Sequence, residues 1–352
     1  MRDPGPADGP RRVVVSHPYD ADGMKANEWE VLDLSATGEL TRPGRTFTMG
    51  RAFVGEVAFT PDGRIGIAAQ EDGTVGVFAL DEAGVPTVLE PAYAGSFYAA
   101  RVVVAPTGAI YVLDTQWREN GGGIYELAVD CEGHVMDKGL VAASKLPAAL
   151  AFTEAGDWVL AATDIASSPM GMDVHVVQEH GATVASSADA FADDMQIVGG
   201  ATLTHDGSAF LVGDTSQFGS EPNRVAVVPV TGEALGAAYM IPNLEDPIAL
   251  HASPFADKVL VVSGFGNAMF ALEKANGTWA SAGELTYQGA KPQLPGGAVM
   301  VERGALRGLV LVAENLGVRR VEMYAAGTIV DRGVFSLGEG IENATGAIGV
   351  TP

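Results

Sequence analysis

Short apolar runs recur along the chain at nearly constant spacing, and each run leads into a turn. Examples are VAFTPDG from Val57, VVVAPTG from Val102 and ATLTHDG from Ala201. The residues that end these runs are 45 to 51 positions apart, at Phe59, Val104, Phe152, Leu203, His251, Met300 and Val350. A period of this length is typical of circular or stacked repeat architectures.

Each repeat contains further strand patterns after its first turn. Second strands read RIGIAAQ, AIYVLDT and AFLVGDT, third strands read TVGVFAL and RVAVVPV, and weaker fourth strands read VMDKGLVAA and RGVFSLG. Their β-branched and aromatic residues, separated by Gly, Pro and Asp, favour strands throughout. Units of four short strands predict a β-propeller, whose blades bury their faces against each other around an axis.

The two ends of the chain each carry part of a unit. RRVVVSHP near the start has the pattern of a second strand and EWEVLDL that of a third, whereas AIGVTP at the end matches a first strand. We therefore predict one composite blade that closes the ring and removes its open edge. With six complete units, this predicts a single all-β, seven-bladed domain over residues 11–352, preceded by a flexible linker at 1–10.

One unit has a family resemblance. GEVAFTPDGRIGIAAQEDGTVGVFAL, from Gly55 to Leu80, resembles the YVTN-type repeats of bacterial seven-bladed propellers, and VVVAPTGAIYVLD resembles them less closely. The repeated pattern of strands resembles that architecture over most of the chain, but the repeat motif itself matches well in only one blade. It implies a fold shared by surface-layer proteins, periplasmic binding proteins and lactonases, and leaves the function open.

Composition narrows the class of partner. The 352 residues include 21 Lys and Arg against 44 Asp and Glu, a formal net charge of −23, which argues against nucleic acid as the partner. Cys131 is the single cysteine, which excludes an internal disulfide and a cysteine-based zinc site. No apolar run reaches the roughly 18–20 residues of a membrane span. We expect a monomer that is periplasmic, exposed at the cell surface or secreted, its targeting segment lying outside this chain.

Oxygen-bearing side chains recur at one predicted face of the ring. Loops that join second to third strands, and loops that enter first strands, converge there on a rigid scaffold. They carry the candidate metal ligands Asp114, Asp164, Asp214, Glu314, Glu342 and Asn343. Carboxylate and amide oxygens are the ligands of Ca²⁺. An Asp at a strand end also caps the following turn, which is the alternative reading of the same pattern.

Three long connections are predicted on this face: SHPYDADGMKANEW, DTQWRENGGGIY and DTSQFGSEPNR. Long loops on a compact scaffold are often functional. The candidate ligand-binding residues of the face are His17, Tyr19, Trp117, Phe218, Asn267 and Asn315. The aromatic rings among them would form a rim for a sugar or a peptide, or else would pack their own loops.

Two functions follow. The first is a non-enzymatic binding or scaffold propeller of the bacterial envelope or exterior, which engages a protein or glycan through the long-loop face. The second is a Ca²⁺-dependent hydrolase of lactones or esters, similar to the sugar lactonases of the regucalcin type. The acidic and asparagine ligands of those enzymes have no one-to-one match here, so the resemblance assigns no catalytic residue. The chain has no G-x-S-x-G elbow, P-loop or H-E-x-x-H motif, and we favour the binding function.

Overall fold

The computed structural model describes residues 9–114, 122–130, 132–143, 147–153, 158–163, 172–177, 183–191, 198–215, 223–232, 234–315 and 317–352. Most of the predicted linker, residues 1–8, lies outside these ranges. Regular structure in the described ranges consists of β-strands and two 3₁₀ turns, Gly304–Leu306 and Ile341–Asn343. Neither turn approaches the length of a helix that crosses a bilayer, and these ranges contain no other helix.

The strands form antiparallel sheets, numbered here in chain order. Sheet 1 contains β1 (Arg11–Tyr19), β2 (Lys25–Leu34) and β3 (Leu40–Thr48). Sheet 2 contains β4 (Val57–Phe59), β5 (Ile65–Ala69), β6 (Val75–Leu80) and β7 (Pro86–Tyr93), and sheet 3 contains β8 (Ala99–Val104), β9 (Ile110–Asp114), β10 (Gly123–Val129) and β11 (Val135–Ala142). Sheet 4 contains β12 (Pro147–Phe152), β13 (Trp158–Thr163), β14 (Met172–Val177) and β15 (Thr183–Asp189). Sheet 5 contains β16 (Val198–Leu203), β17 (Ala209–Asp214), β18 (Arg224–Thr231), β19 (Ala234–Leu235) and β20 (Tyr239–Pro242). Sheet 6 contains β21 (Pro247–Ala252), β22 (Lys258–Ser263), β23 (Ala268–Ala275) and β24 (Thr278–Glu284), and sheet 7 contains β25 (Gly297–Met300), β26 (Leu309–Glu314), β27 (Gly317–Met323) and β28 (Ile329–Ser336). The last strand, β29 (Ile348–Val350), returns to sheet 1.

Sheets 2 to 7 are each built from one continuous stretch of chain, and sheet 1 combines both ends in the order β29-β1-β2-β3. The prediction of an all-β propeller with four-stranded antiparallel blades is confirmed. Sheet 5 differs in detail, because its outer edge is divided between two short strands, β19 and β20, that both pair with β18.

Hydrophobic clusters join neighbouring sheets around the ring. Ile67 of sheet 2 packs in one cluster with Val112 of sheet 3, and Val13 of sheet 1 packs in another with Leu311 of sheet 7. The second strands have a neighbouring strand on each edge, and the adjacent sheets of the ring pack against both of their faces. β9, β17 and β26 are accordingly buried at every residue, which is why these segments read as continuous apolar runs rather than alternating ones.

The Asp-Gly turns of the repeat fold as their residue types require. In the turn after β4, Oδ1 of Asp62 accepts hydrogen bonds from Thr60 Oγ1 (2.7 Å) and from the backbone N–H of Arg64 (3.2 Å). Gly63 follows with φ of 68°, a conformation that glycine adopts without steric cost. Thr204, Asp206 and Gly207 repeat the arrangement in sheet 5.

The prediction of a long connection between Ser16 and Trp29 is wrong. β1 continues to Tyr19 and β2 begins at Lys25, so a tight turn joins the two strands. The carboxylate of Asp20 shapes the turn, because its Oδ1 accepts the N–H groups of Asp22 (3.0 Å) and Met24 (2.8 Å). The acidic residues of DADG therefore cap a hairpin turn.

Candidate binding site at the axial channel

The innermost strands of the sheets enclose a cavity of about 1500 Å³ along the ring axis. Its walls come from residues of β4, β8, β12, β16, β21 and β25, and from the end of β29. Neighbouring strands in each sheet are antiparallel, so loops that enter a first strand and loops that leave a second strand share one edge. That edge forms one mouth of the channel.

Apolar side chains surround this mouth. We call the following five residues the rim: Phe53 (45% exposed), Val54 (56%), Phe265 (66%), Leu294 (45%) and Ile341 (49%). All five line the cavity. Four precede a first strand and Phe265 follows a second strand, which explains why distant segments meet here. Exposed apolar groups that cluster around a cavity are characteristic of interaction sites rather than of ordinary surface.

One part of the rim has a constrained backbone. Leu294 has φ of 45° and Asn267 has φ of 50°, in the left-handed region that is unfavourable for non-glycine residues. Asn267 holds this arrangement, since its Oδ1 accepts the N–H of Leu294 (2.7 Å) and its Nδ2 donates to the carbonyl of Phe265 (3.2 Å). The predicted ligand-binding residue Asn267 thus positions two rim residues.

A second part of the rim is built around Arg51. The guanidinium lies 5.6 Å from the ring centroid of Tyr19 and 5.4 Å from that of Phe53, and the two rings meet edge to face at 5.8 Å. Arg51 also donates to the carbonyl of Pro18 (3.1 Å) and pairs with Glu71 (2.6 Å). These contacts fix Tyr19 and Phe53 in place beside the channel.

Behind the rim, the channel wall carries carboxyl groups. Glu56 directly precedes β4 and Asp246 directly precedes β21, at the edge that carries the rim, whereas Glu302 follows β25 at the other end of that strand. All three line the cavity. Burial raises the pKa of Glu56, although nearby Arg101 opposes the rise. Burial also raises the pKa of Asp246 and that of Glu302. Glu56 and Glu302 are exposed to the solvent of the channel, whereas Asp246 is buried.

Arg303 and Arg307 act electrostatically on Glu302, and the positive group that acts on Glu56 is Arg101. It extends from β8 across the channel, and its Nη2 donates to the carbonyl of Gly199 at 2.6 Å. His251, on β21, also lines the cavity. Burial lowers the pKa of His251 to about 4, in spite of its bond to the backbone of Ala298, so its imidazole is neutral at pH 7.

The other predicted binding residues lie in varied surroundings. His17 is buried, with Nε2 at 3.3 Å from Oε2 of Glu30 and Nδ1 at 3.2 Å from the carbonyl of Ala344. Arg42 pairs with the same Glu30 at 2.7 Å. Asn315 lines the cavity, and its N–H donates to the carbonyl of Gln293 at 2.9 Å. Trp117 and Phe218 lie outside the described residues.

The predicted metal ligands are divided among several environments. Asp114 and Asp214 are buried at the ends of β9 and β17. Glu314 pairs with buried Arg319 through both carboxylate oxygens, at 3.1 Å each. Glu342 and Asn343 bond to each other at 3.0 Å in an exposed 3₁₀ turn. Asp164 lies outside the described residues. The calcium site therefore stays a prediction.

Within the described ranges, a different group has the geometry to hold a metal ion. Asp130, Glu132 and His134 present ligand atoms that all lie within 4.8 Å of one another. They occupy the hairpin between β10 and β11, at the outside of sheet 3. Asp130 caps this turn through its own side chain, so turn geometry already accounts for the grouping.

Glu56, Arg101, Glu302 and all five rim residues were missing from the predicted site residues. A signal for two of them exists, because a charged residue at or within an apolar innermost strand must face the channel. Glu56 in GEVAF and Arg101 in ARVVV meet that condition. The rim residues lie in the first-strand entry and second-strand exit loops that the sequence predicted as a binding face, but no repeated residue type marks their positions.

Comparisons with known proteins support the fold. No family model matches the chain, and no curated protein matches it. A periplasmic gluconolactonase of Pseudomonas aeruginosa aligns with TM-score 0.62 and 14% identity, over 98% of this chain and 99% of that one. A Bacteroides fragilis protein with a provisional assignment as a 6-phosphogluconolactonase aligns with TM-score 0.65 and 13% identity, over 99% and 100%.

A third similar structure is a propeller with a bound partner. Chaetomium thermophilum Sqt1, bound to the N-terminus of ribosomal protein L10, aligns with TM-score 0.57 and 15% identity, over 92% of this chain and 87% of that one. At sequence identities this low, a structural match shows a shared fold and does not show a shared activity. The chain is similar to lactonase-type and protein-binding propellers in fold.

Proposed function

We propose that this protein is a binding propeller that holds an extended segment of a partner protein across the mouth of its axial channel. The observation that carries the proposal is the rim: five exposed apolar side chains from four loops line one cavity. Burying them would supply the hydrophobic part of the binding free energy. The constrained backbone at Leu294 supports it, since strained conformations cluster at functional sites.

The rim favours a peptide over a glycan. Sugars bind to flat aromatic faces, whereas Val54, Leu294 and Ile341 are aliphatic and offer no such face. The two aromatic rim residues, Phe53 and Phe265, belong to different loops, one before β4 and one after β22. Sqt1 shows that a propeller can bind the terminus of another protein.

A displayed library of random peptides, selected against the protein, tests this function. We expect selected peptides to lose at least about tenfold in affinity when Phe265→Ser and Leu294→Ser are combined, because two buried apolar contacts are removed. The matched control combines Met136→Ser with Leu140→Ser, which are exposed to 53% and 52% on the outer strand β11. Peptides that bind the rim variant and the wild type equally would contradict the proposal.

A second candidate function is the hydrolysis of lactones or esters. It is supported by Glu56, a carboxyl with a raised pKa beside a guanidinium in a cavity, which is the usual condition of a general acid or base. As a water oxygen attacks the lactone carbonyl, Glu56 would take the proton from that water and return it to the ring oxygen as the C–O bond breaks. In the calcium-dependent form, Ca²⁺ held by predicted ligands such as Asp214 would polarise the carbonyl.

Two measurements test the second candidate. Turnover of a panel of simple sugar lactones that is lost in Glu56→Gln would support it, and no turnover by the wild type would overturn it. Thermal unfolding of metal-stripped protein in CaCl₂, with MgCl₂ and NaCl at matched ionic strength, tests the calcium-dependent form. A rise in midpoint specific to Ca²⁺ would support the metal site.

We propose further that sheet 1 serves as a seventh blade beside the six that are continuous in sequence. The pairing of β29 with β1 and the hydrophobic cluster shared by sheets 1 and 7 support this count. The YVTN relationship, the envelope or extracellular location and the monomeric state remain predictions.

A further inference from the structure

One arginine side chain lies inside the axial channel near the mouth. Arg101 belongs to β8, the innermost strand of sheet 3, and its side chain reaches sheet 5, where Nη2 donates to the carbonyl of Gly199 at 2.6 Å. The residue is partly exposed and lines the cavity. The bond to Gly199 holds the guanidinium in position and uses one of its five N–H groups.

Among the residues that the structure describes, no carboxylate contacts the guanidinium of Arg101. Arginines elsewhere in those ranges have such contacts, as Arg51 has with Glu71 at 2.6 Å. Glu56 acts on Arg101 electrostatically, but the two side chains form no ion pair. No nitrogen of Arg101 is both buried and unpaired, so its N–H groups without a protein partner are open to the channel.

The anchored end of Arg101 lies close to the rim. A Cβ added at Gly199 would lie 3.1 Å from Cα of Ile248, and a Cβ added at Gly264 would lie 2.9 Å from Cγ2 of the same Ile248. Gly264 directly precedes the rim residue Phe265. Two strand spacings therefore connect the carbonyl of Gly199 to the Phe265 loop, a distance on the order of 10 Å that about three extended residues span.

Small and apolar side chains form the wall beside this guanidinium. Sheet 4, between sheets 3 and 5, contributes Ala149 and Ala151, and the next two inner strands contribute Ala201 and Ile248. Ligand sites commonly combine such walls with a few polar groups that fix the orientation of the ligand. A guanidinium held in place, with N–H groups to spare, matches the two oxygens of a carboxylate.

We propose that Arg101 receives a carboxylate of the segment that binds at the channel mouth, while the rim covers apolar side chains of the same segment. This inference rests on the proposed binding function and names the chemistry of its ligand. A protein offers this group from two sources, its terminal carboxyl group and its acidic side chains, and both present the same pair of oxygens. A neutral amide offers one uncharged acceptor, and an ammonium group offers none.

Three acetylated tripeptides test the inference: Ac-Phe-Leu-Ala-OH, Ac-Phe-Leu-Ala-NH₂ and Ac-Phe-Leu-Asp-NH₂. They share two apolar residues for the rim, and they carry a terminal carboxylate, no carboxylate and a side-chain carboxylate. Dissociation constants are measured by calorimetry or ligand-observed NMR in about 150 mM NaCl, which screens most of the long-range repulsion between the net charge of −23 and an anion.

We expect one or both acids to bind at least about tenfold tighter than the neutral amide, as for hydrogen bonds to a charged group. Tight binding of Ac-Phe-Leu-Ala-OH alone identifies a chain terminus as the source, and tight binding of Ac-Phe-Leu-Asp-NH₂ alone identifies a side chain. A neutral amide that binds within about threefold of both acids would overturn the inference.

Variants locate the effect at Arg101. Arg101→Met is expected to bring the acids within about threefold of the neutral amide, because the charge and its donors are removed while an unbranched side chain is kept. Arg332→Met is the matched control: Arg332 is 44% exposed on the outer strand β28 and pairs with Glu322, so the same change in net charge is expected to preserve the difference. Equal loss in both variants would mean that net charge sets the affinity, and would overturn the inference.

Glu56→Gln is a second test, which leaves Arg101 in place. The carboxylate of Glu56 acts on the same guanidinium, so its removal is expected to strengthen the binding of the acids by at least about twofold and to leave the neutral amide unchanged. Acids that bind more weakly to Glu56→Gln would overturn the inference. This variant decides the question if Arg101→Met does not fold, as judged from its thermal unfolding.

The outcomes separate the inference from the function on which it rests. Equal binding of the three peptides, lost in the Phe265→Ser, Leu294→Ser variant, overturns the carboxylate site and sustains the mouth as a binding site. Acid binding that needs Arg101 but not the rim supports the carboxylate site and contradicts the peptide-binding function. Absence of binding by every peptide up to about 10 mM overturns the inference.

Discussion

Arg319 is a fully buried guanidinium on β27 with three partners. It pairs with Glu314 at 3.1 Å and with Asp331 at 2.9 Å, and its Nη2 donates to the carbonyl of Ala290 at 2.8 Å. Both carboxylates are themselves buried. The cluster links the second, third and fourth strands of sheet 7, and Arg319 supplies the positive charge that both buried carboxyls contact.

A related cluster occurs in sheet 1, where Glu30 joins His17 and Arg42. The partner on the fourth strand follows the third-strand residue by 12 positions in both sheets. The recurrence indicates that these polar groups tie the strands of a blade together at equivalent places in the repeat. His17 and Glu314, predicted as ligand residues, thus have contacts within their own blades.

Replacing Arg319 tests the cost of an unbalanced cluster. We expect Arg319→Met to lower the free energy of unfolding by about 3–5 kcal/mol, because Glu314 and Asp331 would be left buried without a cation. Arg320→Met is the matched control: its pair with the exposed Glu39 predicts a loss of about 0–1 kcal/mol. Urea unfolding of both variants measures the difference, and equal losses would contradict the interpretation.

His251 makes stability depend on pH. Its folded pKa of about 4 lies below the ordinary value of 6.5, so the unfolded chain binds the proton more tightly. The contribution is fully present above about pH 6.5 and is lost as pH falls towards 4. Glu56, Asp246 and Glu302, with raised pKa values, act in the opposite direction, so the wild-type curve combines both effects.

The contribution of His251 is isolated by comparison with a variant. We expect His251→Leu to gain about 1–3 kcal/mol relative to the wild type between pH 7 and pH 4.5, since it carries no proton-linked penalty. His205→Asn, an exposed change on the turn after β16, serves as control and is expected to follow the wild type. Parallel curves for wild type and His251→Leu would exclude a depressed pKa.

At the scale of elements, the closing strand has tight packing requirements. β29 pairs with β1 through Val13 and Val350, Val14 and Gly349, and Val15 and Ile348. Ser16 adds two bonds at this junction, to the carbonyl of Ala52 (2.7 Å) and from the N–H of Ala347 (2.8 Å). A Cβ at Gly349 would lie 2.4 Å from the carbonyl oxygen of Val57, so only glycine fits between sheets 1 and 2 there.

Truncating the buried side chain of β29 tests its contribution. Ile348 is fully buried in the cluster shared by sheets 1 and 7, and we expect Ile348→Ala to cost about 2–4 kcal/mol in unfolding free energy. The same substitution at Ile341, 49% exposed on the rim, is expected to change stability by less than about 0.5 kcal/mol. Denaturant midpoints compare the two, and a smaller loss at Ile348 would mean that β29 contributes little to closure.

At the scale of the whole molecule, the excess of acidic residues produces mutual repulsion in the compact state. The net charge is 21 − 44 = −23. Salt screens exposed charges much more than buried ion pairs. Added salt should therefore act mainly by weakening the repulsion between surface carboxylates. We expect the thermal midpoint to rise by a few degrees as NaCl increases from about 10 mM to about 150 mM, where the Debye length falls from about 30 Å to about 8 Å.

Calorimetry in NaCl, with sucrose at equal osmolality as the control, measures this response. A midpoint that falls with salt would mean that surface ion pairs, such as Lys25 with Glu71, outweigh the repulsion. That outcome would contradict the interpretation that repulsion between acidic side chains dominates the electrostatics of this surface.

The sequence by itself determined the propeller, the positions of most strands and the Asp-Gly turns. These features depend on local information: strand patterns that repeat, and turn residues such as Asp62 and Gly63 whose conformations are set by their own chemistry. The pairing of AIGVTP with RRVVVSHP was also predictable, because each end has half of a pattern that recurs elsewhere in the chain.

Only the tertiary structure decided which side chains meet at the channel. Phe53, Phe265 and Leu294 come from different repeats and become neighbours because the ring brings their loops to one edge. Only the tertiary structure also identified the partners of Glu314 and His17. In the sequence, a carboxylate at a strand end has the same pattern whether it binds a metal ion or an arginine. Strand patterns are set by neighbours in sequence, whereas the environment of a side chain is set by segments far away in the chain.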